Sequence, residues 1–193
     1  MLSVFKTLRS RFSESLRALS RTRTITTVGL LLAIQMVLSS YGVIEVTDSL
    51  KISLAHLALT PTAILFGPVA ATLQGALSDI LGFIIKPTGP YFPGFTLTNV
   101  LVGLVCGFIL HGQKPSWWRC IAAVTISLAG LNLFLNSLWL HMLAYVPDRG
   151  YFAWVTVRAP NYLVEVPVNT VLCYLLLQAM KRVKLPASMQ MKD

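Results

Sequence analysis

Charge is what this sequence has least of. Only 12% of its 193 residues are Asp, Glu, Lys or Arg, while 55% are hydrophobic. Soluble domains carry about 25% charged residues, and half that amount leaves too little polar surface to cover a soluble globule of this size. A cytosolic enzyme, a disordered regulator and a secreted domain are therefore excluded as leading readings. Acidic residues are the scarcer sign, seven against sixteen basic, for a net charge of +9. On a soluble protein that balance points to nucleic acid, but here the basic residues form no single patch beside apolar strands. Cysteine is sparse as well. Cys106, Cys120 and Cys173 lie far apart in apolar sequence, with no CxxC or Cys/His ligand spacing, and are expected to be buried bystanders in neither disulfide nor metal site. Catalytic signatures are missing too. The absence of GxxxxGK[ST] excludes nucleotide hydrolysis by a P-loop, and there is no HExxH, GxSxG or His/Cys cluster. A membrane aspartyl protease needs two facing aspartates within the bilayer, which the sequence does not offer. The inverted repeat of many secondary carriers is not evident either. No catalytic residue, metal or cofactor is expected.

What is present is a series of long apolar segments. A membrane helix needs about 20 mostly apolar residues, and such windows tile most of the chain. The first runs from Thr24 to about Tyr41. The stretch Ile52 to Ile85 is too long for one span and contains Gly67-Pro68, where proline removes a donor and disfavours helix in the residue before it. It is split into a short helix at about 53–66 and another at about 68–85. The fourth span runs from about Thr96 to Leu110, the fifth from about Trp118 to Val146, the sixth from about Trp154 to Lys181. The expected fold is all-α, a polytopic membrane protein of six helices over residues 24–182, with a tail at 183–193.

The first 23 residues read differently. Leu2, Phe5, Leu8, Phe12, Leu16 and Leu19 recur every three or four positions, interleaved with Lys6, Arg9, Arg11, Arg17, Arg21 and Arg23. That pattern predicts a basic amphipathic helix suited to an anionic leaflet rather than a cleavable signal. With the N-terminus inside, the arm, the 111–119 loop (Lys114, Arg119) and the C-terminal segment (Lys181, Arg182, Lys184, Lys192) place twelve basic residues in the cytoplasm. Lys51, Lys86, Arg149 and Arg158 remain on or near the outer side. The positive-inside rule then gives cytoplasmic N- and C-termini and accounts for the basic excess without nucleic acid.

Polar groups in hydrocarbon are costly and tend to mark a site. In this topology they gather towards the outer end: Gln35 and Ser39 in the first span, His56 and Thr60 in the second, Gln74, Ser78 and Asp79 in the third. Thr96, Thr98 and Asn99 begin the fourth, and Asn132, Asn136 and Trp139 follow in the fifth. Arg158, Asn161, Glu165 and Asn169 share one face of the sixth, with Pro167 beside them. The asymmetry predicts a polar cavity open outwards and closed inwards, not a channel. Arg158, Glu165 and Asp79 either meet a ligand there or pair between helices, and His56 is read as structural. The loop Lys86-Pro87-Thr88-Gly89-Pro90-Tyr91-Phe92-Pro93-Gly94-Phe95 holds three prolines and three aromatics. It is read as an aromatic lid over a flat ligand, with an interfacial belt as the alternative. Gly29 and Ala33 form a small-xxx-small pair that admits close helix approach, internal or to a partner.

Three segments carry a resemblance. Leu65-Phe66-Gly67-Pro68, Gly75-Ala76-Leu77-Ser78-Asp79-Ile80-Leu81-Gly82 and Pro87 to Thr96 resemble the substrate-binding S component of an energy-coupling factor (ECF) vitamin transporter. Leu131-Asn132 to Asn136-Ser137-Leu138-Trp139-Leu140, with Arg158 to Asn169, is similar to its folate branch. The resemblance implies a six-helix protein that captures a vitamin at the outer side and topples to release it inward. It also implies assembly with a transmembrane coupling subunit and two cytosolic ATPases, which would supply the energy that a chain without a P-loop lacks. Gly29 and Ala33 match small residues that face the coupling subunit in that family, although position 37 is Val rather than Ala. For folate, Asn132, Asn136, Asn161 or Glu165 suit the pterin edge. Tyr91, Phe92 and Trp139 suit the rings, and Arg158 or Lys86 suits the glutamate carboxylates. Gln74, Asp79 and Thr96 complete the expected site. The competing readings are an S component for pantothenate or a pyrimidine precursor, a self-sufficient proton-coupled carrier using Asp79 and Glu165, and a membrane enzyme.

Overall fold

The computed structural model describes residues 12–13, 15–47, 50–87, 91–112, 116–143 and 150–182. The expectations for residues 1–11 and 14 of the arm, for 88–90 of the aromatic loop, for Lys114, Asp148 and Arg149, and for the tail at 183–193 fall outside them. So do the side chains of residues 43–52, 181 and 182. The fold is helical apart from one short hairpin. In chain order it comprises α1 (Thr22–Tyr41), β1 (Val43–Thr47), β2 (Leu50–Ser53), α2 (Ala55–Ile85) and α3 (Pro93–Leu110). Then come α4 (Trp117–Thr125), a π-helical segment (Ile126–Leu133), α5 (Phe134–Met142) and α6 (Tyr151–Arg182). Since α4, the π segment and α5 run on without a break, five continuous helices among the described residues are long and apolar enough to cross a membrane.

The sixth span comes from the break in α2. Gly67 has φ 83° and ψ −167°, a conformation essentially restricted to glycine. Gln74 reaches the side chain of Thr62 and, at 3.2 Å, the carbonyl of Ala58. In an unbroken helix, residues 58 and 74 would stand about 24 Å apart. The two halves of α2 therefore fold back on each other, as Gly67-Pro68 predicted.

A helix break strands backbone groups, and two side chains from elsewhere satisfy them. Pro68 has no N–H for the Ile64 carbonyl, and His111 Nδ1 donates to that carbonyl at 3.0 Å. Ser15 Oγ, in the arm, donates to the Phe66 carbonyl at 2.5 Å and accepts from the N–H groups of Val69 (3.1 Å) and Ala70 (3.4 Å). Ser15 is fully buried, whereas Phe12, Leu16 and Arg17 near it in the sequence are exposed. Ser15 thus acts as a helix cap supplied from another segment. Ser15→Ala is expected to cost about 1–2 kcal/mol, the usual loss of a capping side chain. Thermal unfolding in detergent would read it as a lowered midpoint, and an unchanged midpoint would show that the cap does not contribute.

The second half of α2 packs against α3 through a seam of small residues. A Cβ on Gly107 would lie 2.2 Å from Pro68 Cα, one on Gly103 2.3 Å from the Ala71 carbonyl oxygen, and one on Gly75 2.4 Å from the Asn99 carbonyl oxygen. The two backbones run antiparallel in direct contact, the geometry that small residues permit. The main core lies beside this seam. Leu59, Ala63, Val102, Val124, Leu128, Tyr162 and Leu177 gather there with Cys106, Cys120 and Cys173, all three thiols free and fully buried.

Several boundaries differ from expectation for local reasons. α3 begins at Pro93 rather than Thr96, because proline is well suited to the first helical turn. α6 begins at Tyr151, and α5 ends at Met142. The segment between α1 and α2, left outside the expected spans, is an antiparallel hairpin pairing Val43 with Ser53 and Ile44 with Ile52.

Candidate functional site

One end of the bundle opens into a cavity of about 640 Å³, within the range of about 300–1,000 Å³ usual for small-molecule sites. Its walls come from the last turns of α1 (Gln35, Ser39, Ser40), the start of α2 (Ala55) and its end (Ser78, Asp79, Gly82, Phe83, Lys86). The aromatic loop and α3 add Tyr91, Phe92, Phe95 and Asn99; α5 and its end add Asn136, Leu140 and Leu143; α6 adds Arg158. The Ser15–Gly67–His111 cluster closes the other end, so the cavity and the helix break lie at opposite ends of the second and third spans.

The aromatic wall is held by hydrogen bonds beneath it. Asp79 Oδ2 accepts from Thr96 Oγ1 at 2.6 Å, and Oδ1 accepts from Asn99 Nδ2 at 3.1 Å. Because the Thr96 hydroxyl gives its proton to Asp79, the Tyr91 hydroxyl 2.7 Å away is the donor to Thr96. The Tyr91 ring packs on Phe83 with centroids 5.2 Å apart. Phe92 packs on Phe95 at 6.2 Å and on Trp139 at 5.6 Å. Trp139 is pinned in turn by its Nε1, which donates to Thr98 Oγ1 at 2.9 Å. Gly94 leaves room for these rings, since a Cβ there would meet Phe92 at 2.4 Å and Trp139 at 2.6 Å.

The polar floor rests on paired amides. Gln74 is fully buried; its Nε2 donates to Gln35 Oε1 at 2.7 Å and its Oε1 accepts from Thr62. Gln35 lines the cavity with Gln74 behind it.

Two polar atoms on cavity-lining residues stand out. Asn136 Oδ1 and Arg158 Nη1 are buried, yet neither has a hydrogen-bond partner among the described residues. Buried polar atoms are paired in the great majority of cases. An unpaired acceptor and an unpaired cationic donor on two lining residues are complementary to a ligand with a donor edge and an anionic group.

The expected site residues thus fall into three groups. Arg158, Asn136, Asp79, Lys86, Tyr91 and Phe92 line the cavity. Gln74, Thr96 and Trp139 stand one layer behind and orient lining residues. Asn132, Asn161 and Glu165 are not on the wall. Asn132 lies in the π segment, one turn before the cavity-lining Asn136. Glu165 lies seven residues further along α6 than Arg158, about 10 Å deeper, and accepts from the backbone N–H of Ser53 at 3.3 Å. His56 sits 3.8 Å from Cys106 Sγ, away from the cavity lining. Gln35 and Ser39, polar positions of the first span outside the expected site, also line the cavity. Their signal was their place on the last turns of the first span, level with Asp79 and Arg158.

On α1, Gly29 has no atom within 4 Å of where its Cβ would sit, and Ala33 is exposed. Leu30, Ile34 and Val37 beside them are exposed too. This small-residue pair is not used for packing among the described residues.

The family model described as ECF transporter, substrate-specific component matches residues 23–177. A protein of Leuconostoc mesenteroides named folate transporter FolT is 32% identical over 160 residues, covering 81% of this chain and 85% of the relative. A protein of the same name from Clostridium novyi is 30% identical over 128 residues, covering 66% of this chain and 73% of the relative. A solved structure described as the crystal structure of FolT bound with folic acid matches with a TM-score of 0.69 and 31% identity, covering 79% of this chain and 90% of that one. The match runs through the bundle that builds the cavity. This chain is a multi-pass membrane protein and belongs to the family of substrate-specific components of ECF transporters.

Proposed function

We propose that the chain binds folate in the cavity at the outer side of the cell membrane and delivers it inward as the substrate-binding part of an ATP-driven ECF transporter. The observation that carries this reading is the pair of unpartnered groups, Asn136 Oδ1 and Arg158 Nη1, on residues that line the same cavity as the aromatic rings. A pterin presents N–H donors to an amide oxygen, its rings stack on Tyr91 or Phe92, and the glutamate offers carboxylates to the guanidinium. Lys86, exposed at the rim, adds a second cation for the same end. The naming of both relatives as folate transporters and the folic acid in the matched structure support the ligand class.

The topology we propose has both termini in the cytoplasm. It puts the arm at 1–23, the 111–119 loop and the C-terminal segment from Lys181 onward, together +10, on one side and leaves −1 on the other. The uncovered Gly29 and Ala33 face supports docking of a transmembrane coupling subunit, which would bring two ATPases. A self-sufficient carrier is less well supported. Both oxygens of Asp79 accept from Thr96 and Asn99, and Glu165 holds backbone, so neither carboxylate is placed as an open proton relay. Uptake into lipid vesicles tests the assembly: folate should accumulate only when coupling subunit, ATPases and ATP are all present. Accumulation by this chain alone under a proton gradient would overturn the proposal.

A further inference from the structure

Ser53 closes the hairpin between α1 and α2, and α6 holds its backbone from both sides. Its N–H donates to Glu165 Oε1 at 3.3 Å, and its carbonyl accepts from Asn169 Nδ2 at 3.4 Å. Glu165 and Asn169 are one turn apart and 8% and 0% exposed. Asn169 Nδ2 also donates to the Glu165 carbonyl at 3.0 Å, which fixes the amide in place. Ser53 Oγ accepts from the Ala55 N–H at 3.4 Å at the start of α2, and the Leu54 N–H donates to the Gly42 carbonyl at 3.3 Å to close the hairpin base. On both sides of the hairpin the chain lines the cavity, through Ser39 and Ser40 before it and Ala55 after it.

A carboxylate buried within a membrane helix is expensive, and such residues usually mark function. Glu165 is not on the cavity wall, so its function is not ligand contact. We propose that Glu165 and Asn169 form a backbone clamp that sets the position of the hairpin and thereby of the cavity rim. They are positioning residues for ligand entry and exit. The two acceptor–donor roles explain the residue types, because Ser53 presents one donor and one acceptor and an acid–amide pair at i, i+4 matches both.

The proposal rests on the folate reading only for its kinetic probe. The test compares Glu165→Gln, which keeps an acceptor of the same reach, with Glu165→Asp, one methylene shorter but still charged, and Glu165→Ala. Amide hydrogen exchange of the segment 50–55 is followed without ligand, and folate association and dissociation rates are measured by stopped flow. Exchange at Ser53 and Leu54 should rise at least about tenfold in the Asp and Ala variants and stay within about twofold of the parent in Gln. Both folate rate constants should change in the same order. If the Ala variant does not fold, the Asp and Gln pair still decides. Gln behaving like Ala while Asp behaves like the parent would overturn the clamp, because charge rather than reach would then matter. Unchanged exchange in Asp and Ala, or altered exchange with unchanged rates, would overturn it too. Parent protein that fails to bind folate would instead refute the ligand, and the exchange comparison would still test the clamp.

Discussion

Arg158→Ala is expected to weaken folate binding by about two orders of magnitude or more, while the loss for pteroic acid, which lacks the glutamate, stays within about tenfold. Arg158 Nη1 is buried on the cavity wall without a partner among the described residues. A ligand carboxylate completes it with a charge-assisted hydrogen bond. Removing one partner of such a buried pair costs about 2–5 kcal/mol, and each 1.4 kcal/mol is tenfold in affinity. Lysine at 158 should restore only part of the loss, since a point charge does not reproduce the planar fork of arginine. Equal losses for folate and pteroic acid would place Arg158 at the pterin rather than the glutamate.

The second large effect is structural. Gly107→Ala is expected to destabilise the fold by about 3 kcal/mol, at the upper end of overpacking penalties. The unfolding midpoint in detergent would fall by about 6–12 °C. The added Cβ would stand 2.2 Å from Pro68 Cα, a backbone atom next to the break, with no flexible side-chain end to move aside. The second half of α2 would have to leave α3, taking with it the Asp79–Thr96–Tyr91 chain that holds the aromatic wall. Gly29→Ala is the control: nothing lies within 4 Å of the added atom, so the midpoint should not fall, and the higher helix propensity of Ala should raise it slightly. A Gly107→Ala midpoint equal to the parent's would show that the seam tolerates separation.

Much of this was legible in the chain because hydrocarbon permits few backbone solutions. Apolar length gave the spans, and Gly67-Pro68 gave the break, since proline deletes a donor and its neighbour resists helix. The partners of that break were not legible. Ser15 lies more than 50 positions from Phe66 and His111 more than 40 from Ile64, and no local pattern links them. The hairpin did leave a trace in Val43-Ile44-Glu45-Val46-Thr47, a β-branched run followed by Asp48-Ser49. Two strands that short look like a connecting loop when spans are counted by hydropathy. The π segment left no trace, because its composition is that of any apolar helix. Along α6, helical periodicity placed Arg158 and Glu165 on one face. Depth could not be read from periodicity, and depth gives Arg158 the cavity and Glu165 the hairpin.

The central claim is that the cavity is built for a ligand carrying both a pterin and carboxylates. The most direct measurement is calorimetric titration of the purified protein in lipid nanodiscs with folate, pteroic acid and pantothenate. Saturation by folate at one site per chain, binding of pteroic acid at least about tenfold more weakly, and no binding of pantothenate is the predicted result. Absence of folate binding, or tighter binding of pantothenate, would contradict it.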